Sequence, residues 1–434
     1  MQGYDLIFRN VSLPGAQSGS LSDIAVRGPH IAAIRPAGEL EEAAGAQEID
    51  GSGHLALPPF VEPHIHLDTV LTAGEPAYNV SGTLFEGIRL WQQRKLLLTE
   101  EDVLTRAEAV LKAQVSQGIL HVRTQADISD PGLTALRALL KLKERVKPYV
   151  TLQVIAFPQD GLIACPANEG RLRQALELGA DGIGAIPHGE PTREDGIASL
   201  DMAFRLAEEH GCFVHVFCDE LDDPGSRFLE AVAQRALQTG LREKVTAAHA
   251  NATAYYPDAY FAKLLGLLVR SGTQVVSCPL ISSAMQGRFD PYPKGRGIAR
   301  IRELWQGGVN VALAHDDIRS PFYPLGTGSL LQAAHMAAHL AHMTGLSEME
   351  ELVRMITERG AKVLGIEAEY GLQEGKPASF VLLRVSGSAE LLRTQPLPRY
   401  VVSRGRIVAV TSPPVTALME EFATGRSSKE EAVS

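Results

Sequence analysis

From Leu55 onward the sequence alternates eight times between a short β-type run and a longer stretch with helical spacing, which restricts this region to parallel βα units. The strand candidates are Leu55–Val61, Ile119–Thr124, Val150–Phe157, Gly182–Ile186, Phe213–Cys218, Val245–His249, Thr273–Cys278 and Val309–His315. Amphipathic stretches such as Glu100–Gln117, Leu133–Val146, Asp201–His210 and Ala259–Val269 separate them. Eight units predict an α/β chain folded as a (β/α)8 TIM-like barrel, with its chemistry at the C-terminal ends of the strands.

The flanks read differently. Asp5–Arg9 and Ile24–Arg27 before the barrel, and Ser379–Leu383 and Arg404–Val410 after it, are short alternating runs set between Gly and Pro. They predict a small β-sandwich built from both chain ends. The expected division is 1–57 and 371–420 for the sandwich, 58–370 for the barrel and 421–434 for a polar tail, loosest over Arg426–Ser434.

Composition narrows the function classes. A net charge of -10 without a long Lys/Arg run gives no footprint for nucleic acid or an anionic membrane surface, so a small molecule is the expected partner. The first ten residues lack an apolar signal core, and the longest apolar runs, such as Leu264–Val269, fall far short of a membrane span. The expected location is the cytoplasm. Cys165, Cys212, Cys218 and Cys278 are scattered with no CxxC pair and are expected to be free, buried thiols.

The chemistry-bearing residues fall at strand ends. His64 and His66, two apart at the end of strand 1, can face the barrel mouth together, as a shared metal requires. Past strand 8, Asp316 and Asp317 offer carboxylates that could bind metal or accept a proton. Gln159, His188, Glu220 and His249 follow strands 3, 4, 5 and 6. Any one of these is weak evidence, but their convergence on one rim is what a catalytic site needs. Arg123, inside strand 2, reads as structural.

Several segments together carry a resemblance. Pro58–Thr69, with its His-Ile-His, and Ser81–Ile88, Ala156–Gln159, Gly184–His188, Cys218–Glu220, Gln286–Asp290 and His315–Asp317 resemble the bacterial cytosine deaminase branch of the amidohydrolase superfamily. The likeness runs over nearly the whole chain. It implies one divalent metal, iron or zinc, with His64, His66 and Asp316 as ligands. It implies that Glu220 shuttles a proton, that His249 orients the water, that Gln159 binds the amide-like edge of the substrate and that Asp317 lies near the leaving amine. Leu84 and Phe322 are expected to contact substrate, and a homo-oligomer is expected.

The chain departs from that pattern around the pocket. Where the family supplies a metal-binding histidine from strand 5, this chain has Phe217, with His215 two residues deeper on the same face. Two strand residues span roughly 6.6 Å and a zinc–nitrogen bond is about 2.1 Å, so His215 needs a bulge or slip to reach. Four arrangements are open: His249 joins the ligands, a bulge brings His215 forward, three protein ligands suffice with water, or the metal is weakly held. Gln125 also replaces a histidine, and Phe322 a tryptophan.

The expected activity is hydrolytic deamination of a nitrogen heterocycle: cytosine or a related amino-pyrimidine, purine, pterin or triazine. The alternatives are a cyclic-amide hydrolase of the hydantoinase or dihydroorotase type, and a catalytically impaired heterocycle-binding homologue.

Overall fold

The computed structural model describes residues 3–15, 19–40, 45–414 and 416–418. The tail predicted over 421–434 lies outside the described residues.

Eight parallel strands form one nearly closed barrel in sequence order. They are β1 (Phe60–Ile65), β2 (Ile119–Asp127), β3 (Thr151–Phe157), β4 (Gly182–Ala185), β5 (Phe213–Cys218), β6 (Val245–His249), β7 (Gln274–Ser277) and β8 (Val311–Leu313). The barrel is closed between its ends by the His315 amide, which donates to Glu62 Oε2 at 3.0 Å. Every residue of β1, β4, β6, β7 and β8 is buried, the pattern of strands covered by helices on one side and packed side chains on the other.

Some boundaries are corrected. The first strand run, predicted as Leu55–Val61, is two strands. Leu55–Leu57 leaves the barrel to pair antiparallel with Phe380–Leu383, and β1 begins at Phe60. The break falls at Pro58-Pro59, neither of which has an amide hydrogen for a ladder. The helix expected at Asp201–His210 also begins earlier, at Arg193, where Thr192 caps it by accepting from the Asp195 amide.

The chain ends form two four-stranded sheets, one from residues 6–50 and the other from Leu55–Leu57 with Phe380–Leu383, Tyr400–Ser403 and Arg406–Val410. Phe8 of the first sheet meets Phe380 of the second edge to face at 5.1 Å. That contact sits in a shared apolar core containing Ile24, Ala56 and Leu382, which makes the pair a sandwich. No described helix is long and apolar enough to cross a membrane.

Candidate active site

The C-terminal ends of the strands open onto a cavity of about 100 Å³. His66, Gln159, His188, Glu220, His249, Asp316 and Asp317 bring polar groups to its wall, while Leu84, Phe217 and Phe322 bring apolar ones. Leu84 and Ile88 reach it from the helix Leu84–Arg94, one turn apart on the same face. Gly87 of that helix lets Phe322 approach, since a Cβ there would lie 2.8 Å from its ring.

Backbone geometry turns the polar side chains inward. Asp219, His249 and Asp316 have φ values of 53°, 67° and 67°, the left-handed region that non-glycine residues adopt at a cost. All three lie at or just past strand ends. Asp219 fixes the turn carrying Glu220: its carboxylate accepts from the amides of Phe228 and Leu229, both at 2.9 Å, and from Ser226 Oγ at 2.7 Å. In β1 the register against β2 shifts between Glu62 and Ile65, so His64 sits in an irregular segment rather than a regular strand.

Asp316 is the hub. Its Oδ1 lies 3.6 Å from His64 Nε2 and 3.9 Å from His66 Nε2, and its Oδ2 lies 3.8 Å from His249 Nε2. His249 Nδ1 lies 3.6 Å from Glu220 Oε1. These separations are too long for hydrogen bonds, and His64 Nε2, both His249 nitrogens and Asp316 Oδ1 are buried with no hydrogen-bond partner. Unpartnered buried polar atoms are costly. A divalent cation among them satisfies imidazole nitrogens and a carboxylate at once, so the residues fit a metal. Donor atoms of His64, His249, Cys278 and Asp316 all lie within 4.8 Å of one another, and so do those of His66, Asp316 and Asp317.

His215 lies behind His64 rather than at the cavity. Its Nε2 is 2.7 Å from His64 Nδ1. The bulge that could have advanced it is absent: β5 keeps unbroken register with β6 from Val214 to Cys218. Phe217 occupies the strand-5 position instead, stacked on Phe157 with centroids 4.1 Å apart and lying 4.7 Å from the His64 ring.

Burial sets the electrostatics. It pushes the Glu220 carboxyl up to about 8, helped by the charge of Asp317. Asp317 itself is raised to about 6 by burial, against hydrogen bonds from Thr69 and Ser320. Asp316 is held well above the usual carboxylate range by burial and then by Asp317 and Glu220. His64, His215 and His249 are driven well below the usual imidazole value, chiefly by burial, and are neutral. Without a metal the site's carboxyls are therefore inclined to hold protons that a cation would displace, while its neutral imidazoles are free to coordinate one.

Arg123, read as structural, is buried inside the barrel and donates to Gln153 Oε1 at 2.9 Å. Sequence reasoning did not single out Cys278, which follows β7 and lies in the buried donor group with His64, His249 and Asp316. It also missed the apolar wall residues Phe85, Ile186, Leu221 and Ile281. Strand-end position was the available signal for Cys278, and helical spacing from Leu84 the signal for Ile88.

The sequence pattern of the amidohydrolase family matches residues 78–409. The chain is 40% identical to 5-methylcytosine deaminase from Klebsiella pneumoniae, solved with 5-fluorocytosine, over 95% of this chain and 99% of that one, with a TM-score of 0.92. It is 28% identical to N-isopropylammelide isopropyl amidohydrolase of Pseudomonas sp. (strain ADP), covering 93% of this chain and 97% of that protein. It is 27% identical to pterin deaminase of Rhizobium rhizogenes, covering 91% and 89%.

Proposed function

This chain belongs to the amidohydrolase family, and from that premise we propose that it hydrolytically deaminates an amino-substituted nitrogen heterocycle, cytosine or a related amino-pyrimidine, purine, pterin or triazine. The observation that carries the reading is the shared cavity. Glu220, a carboxyl whose proton affinity lies near neutrality, opens onto the same space as His66 and the unpartnered His249 nitrogens and Asp316 carboxylate of the candidate metal site.

The reaction adds water across the C=N bond of a cyclic amidine and then breaks the exocyclic C–N bond to release ammonia. A divalent metal, iron or zinc, held by His64, His66 and Asp316 would supply Lewis acidity, lowering the pKa of water towards ~7. Glu220 takes a proton from the attacking water and delivers it to the ring nitrogen, which a group titrating near neutral pH does efficiently. His249, 3.6 Å from Glu220, orients that water. Gln159 hydrogen-bonds the amide-like edge of the ring, and Asp317 accepts from the departing amine.

The cavity's size favours a bare heterocycle over a nucleoside. A two-metal cyclic-amide hydrolase fits less well, because β4 carries no lysine to bridge the metals. The same reading makes the protein a cytoplasmic homo-oligomer, which light scattering and cell fractionation test. The deciding experiment supplies purified protein with one equivalent of zinc or iron and assays ammonia release from a panel of amino-heterocycles. Release from at least one small aminopyrimidine, pterin or triazine is expected; none from the whole panel would refute the reading.

A further inference from the structure

The strand-5 position that faces the other donors is filled by a phenyl ring, yet the half of the barrel that begins at the neighbouring β6 holds a set that does not need it. His64 lies on β1, His249 ends β6, Cys278 follows β7 and Asp316 follows β8. These are four consecutive strands around the barrel, since the His315–Glu62 hydrogen bond joins β8 to β1. Each contributes one donor, all four residues are buried, and their ligand atoms lie within 4.8 Å of one another. Zinc bonds of about 2.0–2.3 Å set neighbouring donor atoms roughly 3.5 Å apart, so a modest contraction would bring Cys278 into the coordination sphere of His64 and Asp316. Three of the four carry independent signs of a missing partner: His64 Nε2, His249 Nε2 and Asp316 Oδ1 are buried and unpaired.

We propose that the thiolate of Cys278 ligates the same metal as His64, His66 and Asp316, supplying the donor that Phe217 does not, with His249 left to orient the water. The proposal rests on the site being a metal centre. Cys278 loses its thiol proton to solvent on binding, as cysteine ligands do. Without metal its thiol lies close to the Asp316 carboxylate, and that contact is the competing, purely structural role. A thiolate in the set also narrows the cation, because soft sulfur favours zinc over magnesium or manganese.

X-ray absorption at the zinc edge of the wild-type holoprotein tests this without any substitution. One sulfur scatterer at about 2.3 Å is expected beside nitrogen and oxygen at about 2.0–2.2 Å. Cys278→Ser should remove it and weaken zinc at least about tenfold in a chelator competition, while Cys218→Ser, on β5, should do neither. Bound zinc with nitrogen and oxygen neighbours alone overturns the proposal and leaves the metal-dependent reading standing on His64, His66 and Asp316. A wild-type protein that binds no zinc or iron at all overturns both.

Discussion

His215 Nε2 lies 2.7 Å from His64 Nδ1, with both rings fully buried. Only one of the two nitrogens can carry the shared proton. For His64 Nε2 to offer its lone pair to a cation beside Asp316, the proton must sit on His64 Nδ1 and be donated to His215. In the proposed metal site, a histidine set back from the cavity thereby fixes the tautomer and orientation of His64. Replacing His215 with Ala should lower metal affinity by about 10–100-fold, the usual cost of losing such a partner. His215→Asn, which keeps an acceptor, should lose less. Chelator competition on folded protein checks both, and equal affinities for wild type and His215→Ala would remove the orienting role.

Glu220 is assigned the proton transfers, so Glu220→Gln should separate binding from chemistry. The amide keeps the size and polarity of the side chain but cannot shuttle a proton. The expected result is a fall in kcat of about 10²–10⁴-fold with substrate affinity within a few-fold of wild type. Steady-state kinetics with the substrate from the ammonia panel, together with calorimetric binding, reads both quantities. An unchanged kcat would move the proton transfer elsewhere.

Burial also makes a prediction about pH. Glu62 is fully buried between the ends of β8 and β1, and its carboxyl is raised from 4.5 to about 8, burial outweighing the hydrogen bonds it accepts from the His315 and His64 amides. A folded-state pKa above the unfolded one gives stability that is fully present below pH 4.5 and is lost as pH rises through about 8. Each unit is worth about 1.4 kcal/mol, so the loss amounts to a few kcal/mol. The metal-free protein should therefore melt at progressively lower temperature between pH 5 and 8. Glu62→Gln, which cannot ionise, should flatten that slope, and thermal melts across the range decide it.

Much of this was legible in the sequence because barrel strands and catalytic rims leave local signals. The eight apolar runs marked the strands, and polar residues at their ends marked His66, Gln159, Glu220, His249 and Asp316. What was not legible depended on contacts across the barrel. The Leu55–Leu57 run looked continuous with β1 because only its pairing with Phe380–Leu383, over 300 residues away, assigns it to the sandwich. Cys278 gave no spacing signal, since its neighbours in space come from β1, β6 and β8. His215 was identified by face, but its distance from the cavity depended on whether β5 bulged, which register alone decides.

Phe217 invites the opposite experiment, restoring a donor rather than removing one. Its ring lies within 5.3 Å of the rings of His64, His66 and His249 and stacks on Phe157. Phe217→His exchanges that stack for an imidazole aimed at the other donors. Without metal, the variant should be less stable by about 1–3 kcal/mol, because apolar burial and an aromatic pair are lost and a polar ring is left unpaired. With zinc, the sign should reverse: an added ligand raises affinity, and binding to the folded state alone adds RT ln(1 + [L]/Kd) to its stability. The zinc-induced rise in Tm should then exceed that of the wild type. Equal rises would mean that the strand-5 position is too far from the cation to matter.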